Sequence, residues 1–139
     1  MLELSVLVRA MQLYVHHAHL LCARAVFMPD HLLLADIYSQ AEDWFDGVSE
    51  RMIGLGMEKE LEFDSYMASV TKKLKGLPST GVKENREYFA ATMTMLNELT
   101  DMVEKLAKEK GMSQGTINML AGMADQAEVF KYKVGRRMM

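Results

Sequence analysis

The sequence is poor in cysteine, proline and glycine. Of its 139 residues, one is cysteine, two are proline and nine are glycine. The single cysteine, Cys22, argues against a disulfide framework and indicates a reducing compartment. Sparse proline and glycine leave long uninterrupted segments, and this favours long helices over short strands joined by many turns.

The sequence also lacks a strong net charge and a long apolar run. Its 16 basic and 19 acidic residues give a net charge of −3, which argues against a protein that mainly neutralises phosphates. The N-terminal segment has neither the basic region nor the cleavage site of a secretory signal, and Glu3, Arg9 and Gln12 interrupt it. We therefore predict a cytoplasmic protein with no membrane association.

The size and composition are those of one globular domain. A chain of 139 residues is long enough for a substantial core and short for two, so we predict a single domain over residues 1–139. Half of the residues are hydrophobic. The 14 methionines are interpreted as packing residues, because an unbranched thioether fills irregular gaps between helices.

Apolar residues at helical spacing predict four long helices and one short helix. The first is expected over about 2–27, ending because Met28 precedes Pro29. The second begins at about Asp30, which serves as its N-cap or as a favourable first-turn charge, and reaches the glycines at 54 and 56. The third and fourth are expected over about 82–110 and 113–137. A short amphipathic helix over 63–74 lies in the long connection between the second and third.

Four side chains of metal-ligand type lie in and around the second predicted helix. His19 and His31 flank the predicted turn, while Asp46 and Glu50 follow at a spacing that places both on one helix face. Imidazole nitrogen and carboxylate oxygen suit iron, zinc or manganese. The plainer interpretation is a hydrogen-bonded core histidine and a solvated helix face.

The stretch HHAHLLCARAVFMPDHLLLADIYSQAEDWFDGVSER, residues 16–51, resembles the miniferritins, the Dps family of ferritin-like proteins. That family has a histidine, a second histidine twelve residues later, and then a D-x-x-x-E-R motif. His19, His31, Asp46 and Glu50 match these positions, and Arg51 completes the motif. The phrase FDSYMASV, residues 63–70, is similar to the short crossover helix of the family.

The resemblance implies an all-α, ferritin-like four-helix bundle, with the short helix in a crossover between the second and third helices. It implies a ferroxidase centre between two subunits, in which His19 and His31 of one subunit face Asp46 and Glu50 of the other. Fe(II) is oxidised there by hydrogen peroxide or dioxygen, and Fe(III) is stored in a hollow shell of twelve subunits, which protects against oxidative damage. Arg51 is expected to pair with charges near the site.

Two alternatives stay open at this point. A DNA-compacting protein is one, since the chain has a C-terminal basic cluster of Lys131, Lys133, Arg136 and Arg137, although no basic tail precedes its first helix. We expect weak or absent DNA binding. The other is a bundle that has kept the fold without the chemistry, because Leu20 and Ala35 stand where the family usually has a tryptophan and an acidic residue. The stretch SQGTINML, where the family has pore-lining acids, carries no carboxylate.

Overall fold

The chain is all helical, and the computed structural model describes residues 1–139. The helices are α1 (Leu2–Leu21), α2 (Phe27–Gly54), α3 (Phe63–Leu74), α4 (Arg86–Ala107) and α5 (Gln114–Met138), with a 3-10 turn at Glu58–Leu61 before α3. The all-α class predicted from the sequence is confirmed. None of the helices combines the length and the apolar character that crossing a membrane requires.

The helices pack as two neighbouring pairs. α1 lies along α2, α4 lies along α5, and α1 also contacts α3 and α4. All five helices contribute to one apolar core, whose fully buried large side chains include Leu4, Leu7, Met11, Leu34, Ile37, Met52, Tyr88, Phe89, Leu96, Leu99 and Leu120. The core therefore joins both pairs into one unit.

Four helix ends meet at one end of this unit. Asn85, the N-cap of α4, donates a hydrogen bond to Asp30 in the first turn of α2. Arg137, in the last turn of α5, binds the same aspartate. α2 and α4 therefore start at the same end, so residues 55–85 must return along the length of α2 before α4 begins.

The corner between α1 and α2 differs from the sequence prediction. α1 ends at Leu21 rather than near Phe27, and α2 begins at Phe27 rather than at Asp30. Pro29 does not separate the helices, because it lies in the first turn of α2, where its missing N–H would have no helical partner. The reversal occurs instead around Arg24, whose φ of 79° is left-handed.

The remaining helices follow the predicted pattern more closely. The short helix α3 has the predicted bounds, and the Glu62 carboxylate caps it by accepting hydrogen bonds from the N–H groups of Asp64 and Ser65. α4 is shorter at both ends than predicted. α5 starts one residue after Ser113, whose hydroxyl accepts from the Thr116 N–H at 3.2 Å and so caps the helix.

Candidate metal-binding site

His19 and His31 lie against each other at the α1–α2 corner. His19 is in the last turn of α1, and His31 begins the second turn of α2. The Nδ1 atom of His19 is 2.7 Å from the His31 carbonyl oxygen, and the Nδ1 atom of His31 is 2.8 Å from the His19 carbonyl oxygen. The two rings stack with their centroids 3.6 Å apart. The structure thus brings the two predicted histidine ligands together.

The reciprocal hydrogen bonds determine the tautomer of each imidazole. A backbone carbonyl only accepts hydrogen bonds, so Nδ1 of both rings carries the proton. In a neutral ring the Nε2 atom then keeps its lone pair. Metal-binding histidines commonly have this arrangement, in which one ring nitrogen donates to a carbonyl and the other binds the ion. Both histidines are therefore held through Nδ1, and this arrangement would leave Nε2 available to an ion.

Further aromatic rings pack around this pair. The Phe27 and His31 ring centroids are 4.8 Å apart, and those of Tyr38 and His19 are 5.2 Å apart in a T-shaped arrangement. His16 stacks on Tyr38 with the centroids 4.1 Å apart. His16 and Tyr38 were not identified from the sequence, although each lies at a helical spacing from a predicted ligand. These rings restrict rotation of the two histidines.

The surroundings of Cys22 keep its thiol out of this group of ligand atoms. Its Sγ donates a weak hydrogen bond to the His19 carbonyl at 3.3 Å. Burial, with the charge of Asp30 as a smaller cause, raises the pKa of Cys22 above its usual value. Because metals bind the thiolate, the raised pKa disfavours Cys22 as a ligand.

A buried polar network holds the same corner. Asp30 is 1% exposed, and Arg137 donates to both of its carboxylate oxygens, from Nε to Oδ1 at 2.5 Å and from Nη2 to Oδ2 at 2.8 Å. The amide nitrogen of Asn85 also donates to Oδ2, at 2.8 Å, and to the Ala23 carbonyl, at 2.7 Å. The Asn85 amide oxygen accepts from the Ala23 N–H at 3.0 Å. No buried side-chain nitrogen or oxygen in this network lacks a hydrogen-bond partner.

Asp46 and Glu50 lie towards the other end of α2. Both are exposed to solvent. At a rise of 1.5 Å per residue, Asp46 is about 22 Å along the helix from His31, and Glu50 about 28 Å. Within one copy of the chain, no three side chains of histidine, cysteine, aspartate or glutamate come together as a metal site. The four predicted ligands are therefore two separate groups, one of histidines and one of carboxylates.

The carboxylate group has few partners of its own. A surface groove of about 440 Å³ is lined by Glu50 together with Gly47, Arg51, Gly54, Leu55 and Met119. Arg51 forms no ion pair within the chain, whose salt bridges are Lys73–Glu98 and Arg137–Asp30. Its guanidinium lies next to the start of α5, at Gly115. Glu50 and Arg51 are thus free to contact another molecule.

Exposed apolar side chains follow both groups in the sequence. Leu20 is 64% exposed beside His19, and Leu32 is 56% exposed beside His31. Ile53 and Leu55 are about half exposed just beyond Glu50. These side chains would be available to a contact with another molecule.

Part of the C-terminal basic cluster is used inside the chain. Arg137 is bound to Asp30, and the Lys131 ammonium donates to the Thr100 hydroxyl at 3.1 Å. Lys133 and Arg136 are exposed. The cluster therefore offers fewer free charges than its sequence indicates. In the stretch 113–120, Gln114 donates to Asn118 and the segment remains neutral.

No family model matches this chain, and no curated protein matches it either.

Proposed function

We propose that the chain is a ferritin-like protein of the Dps miniferritin type, a ferroxidase that binds Fe(II), oxidises it and stores the Fe(III) product. The observation that carries this proposal is the reciprocal hydrogen bonding of His19 and His31. It orients two imidazoles with their Nε2 atoms free, as a metal site requires.

The course of the chain supports a ferritin-like four-helix bundle. α2 and α4 start at the same end, and a long connection that carries α3 joins them. One long crossover between the second and third long helices distinguishes ferritin-like bundles from bundles in which every helix turns directly into the next. The short helix at Phe63–Leu74 is where the family resemblance predicts it.

The separation of the two ligand groups supports a site shared between subunits. The histidines and carboxylates of one copy are too far apart for one ion, so each group needs a second copy to complete it. In a twofold-symmetric contact the same two surfaces meet twice, and two equivalent sites result. The exposed Leu20, Leu32, Ile53 and Leu55 offer apolar area for that contact. Closed assembly of such dimers gives the homo-oligomer, a dodecamer by resemblance.

Each ligand group has a distinct role in this proposal. His19 and His31 bind Fe(II) through neutral nitrogen, which adds no charge to the ion. Asp46 and Glu50 add negative oxygen, which stabilises the Fe(III) product more than the Fe(II) substrate. Two Fe(II) ions give one electron each to hydrogen peroxide, which takes up two protons and is reduced to two water molecules, while dioxygen is the other oxidant expected from the family. Arg51 balances the charge of the carboxylates.

The direct test is anaerobic Fe(II) titration of protein whose assembly size has been measured, followed by addition of peroxide or air. We expect saturable binding and rapid oxidation, both lost in His19→Ala. His17→Ala is the matched control, because His17 is exposed on the same helix and outside the ring stack. A wild-type protein that binds no Fe(II) would support a bundle that has kept the fold without the chemistry.

The charges of the chain also argue against the DNA-binding alternative. Two of the four C-terminal basic residues have internal partners, and the net charge is −3. We infer that DNA binding is weak or absent at physiological salt. Binding that persists as salt rises would contradict this, because contacts to phosphates weaken steeply with salt.

A further inference from the structure

We propose that Arg137, acting through Asp30 and Asn85, is a positioning residue for the histidine pair. In this view the end of α5 holds the α1–α2 corner in the geometry in which His19 and His31 exchange hydrogen bonds. The inference rests on the proposed Fe(II)-binding role of these histidines, but its structural part can be tested without iron.

Arg137 holds the α2 side of the corner through Asp30. Asp30 directly precedes His31, and its carboxylate is held at both oxygens by the Arg137 guanidinium. A two-point contact between a guanidinium and a carboxylate fixes the orientation of both groups, whereas a single contact leaves rotation free. Since Asp30 is 1% exposed, water does not compete for these bonds. The start of α2 is therefore fixed against the end of α5.

Asn85 holds the α1 side of the corner. Asn85 exchanges two hydrogen bonds with the backbone of Ala23, four residues after His19, while its amide nitrogen also reaches Asp30. One side chain thus contacts both sides of the turn that joins the helices. Asn85 itself is 4% exposed and begins α4.

The polar network acts on the histidines through the backbone of the two helices. The acceptor of each histidine hydrogen bond is the backbone carbonyl of the other histidine. A shift of α2 relative to α1 therefore lengthens both bonds together, and both rings lose the contact that places the proton on Nδ1. Asn85 and Asp30 hold the two sides of the turn together by hydrogen bonds, so the network opposes this shift.

A purely structural ion pair predicts a different result. Replacing Arg137 would then change the stability of the fold but leave the histidine tautomers and the Fe(II) affinity as they were. The tautomer can be measured in an assembly of any size by solid-state 15N NMR of protein labelled only at histidine. Protonated and unprotonated ring nitrogens have well-separated shifts.

The test compares three variants. Arg137→Gln removes the charge and the two-point contact, Arg137→Lys keeps the charge but not the contact geometry, and Arg136→Gln is the matched control on an exposed neighbour. We expect Arg137→Gln to lose the uniform Nδ1–H state of His19 and His31 and to weaken anaerobic Fe(II) binding about tenfold, as for other residues that orient ligands. Arg137→Lys should show a smaller change in both measurements, and Arg136→Gln none.

Two results would overturn the inference. One is a folded Arg137→Gln protein that keeps the wild-type tautomers and Fe(II) affinity. If Arg137→Gln does not fold, the second is an Arg137→Lys protein that has the same tautomers and the same Fe(II) affinity as wild type. If wild-type protein binds no Fe(II), the proposed function fails, whereas the NMR comparison still decides whether Arg137 positions the pair.

Discussion

The two ends of α2 are built in opposite ways. At its start, the Nδ1 atom of His31 and both carboxylate oxygens of Asp30 have hydrogen-bond partners from α1, α4 and α5. Towards its other end, Asp46 and Glu50 are exposed and Arg51 has no ion-pair partner. The buried polar groups at the first end have their partners within the chain, whereas the charged groups at the second end have no ion-pair partner.

This difference is informative because buried polar groups need partners and exposed ones do not. The histidine end is held by many ordered hydrogen bonds, and yet the two histidines alone do not make a complete metal site. Under the proposed function, the carboxylate end offers the missing oxygen ligands, with the exposed apolar side chains of Ile53 and Leu55 beside them. A second copy of the chain would supply to each end what it lacks.

The largest expected effect is on oxidation at the carboxylate end. Asp46→Asn should slow Fe(II) oxidation by about 100-fold or more, since it removes a ligand rather than a residue that orients one. Its stability should change by no more than about 0.5 kcal/mol, because the side chain is exposed. Stopped-flow oxidation and urea unfolding measure the two quantities. Asp43→Asn, an exposed aspartate one helical turn away, is the control, and an equal loss of rate in that variant would remove the special role of Asp46.

The histidine end should show the largest effect on stability. Asp30→Asn leaves the Arg137 guanidinium without its charged partner, so the free energy of unfolding should fall by about 3 kcal/mol. Glu50→Gln, at the other end of the same helix, should change it by less than about 0.5 kcal/mol. Urea unfolding of both variants is the measurement. Similar values for the two would show that the ends of α2 do not differ as described.

An intermediate effect is expected on assembly. Leu20→Glu places a charge on an apolar side chain that is 64% exposed beside His19, and it should convert the assembly to a smaller species. Burying a leucine in a contact stabilises it by about 2 kcal/mol for each copy. Leu20→Glu removes this contribution and adds the cost of burying a carboxylate. Light scattering reports the size. Val129→Glu, on the middle of α5, should leave the assembly unchanged, and a wild-type monomer would exclude the shared site.

The smallest expected effect is at alkaline pH. Burial raises the pKa of Tyr14, Tyr66 and Tyr88 above the usual value of 10.0, so the folded state favours the neutral phenols. The unfolded chain ionises from about pH 10 upwards while the folded chain does not. The stability that these tyrosines contribute is thus complete below pH 10 and declines as the pH rises through the raised values. Unfolding curves at pH 9 and pH 11 test this, and equal stability at both would contradict it.

The helices could be read from the sequence where local pattern determines them. The repeat of Phe63, Tyr66, Met67, Val70 and Leu74 gave the bounds of the short helix, because an isolated amphipathic segment carries its own signal. At the α1–α2 corner the prediction failed. There the chain reverses at Arg24, with Ala23 held by Asn85 from far along the sequence, and Pro29 fits within the first helical turn.

The candidate site was predictable in its residue types but not in its geometry. The spacing of His19, His31, Asp46 and Glu50 indicated metal ligands, and the structure brings only the histidines together. Their exchange of hydrogen bonds depends on where two helices meet, which no spacing specifies. The role of Asp30 was also hidden, since its partner lies 107 residues away at Arg137.

The most direct test of the shared site combines two inactive variants. His19→Ala and Asp46→Asn are co-expressed, and mass spectrometry is used to select shells that contain both. In a mixed dimer, one site collects both defects, while the other receives intact histidines from the Asp46→Asn chain and intact carboxylates from the His19→Ala chain. The account predicts that mixed shells regain part of the Fe(II) oxidation that neither variant has alone. Mixed shells that oxidise Fe(II) no faster than either variant would contradict it.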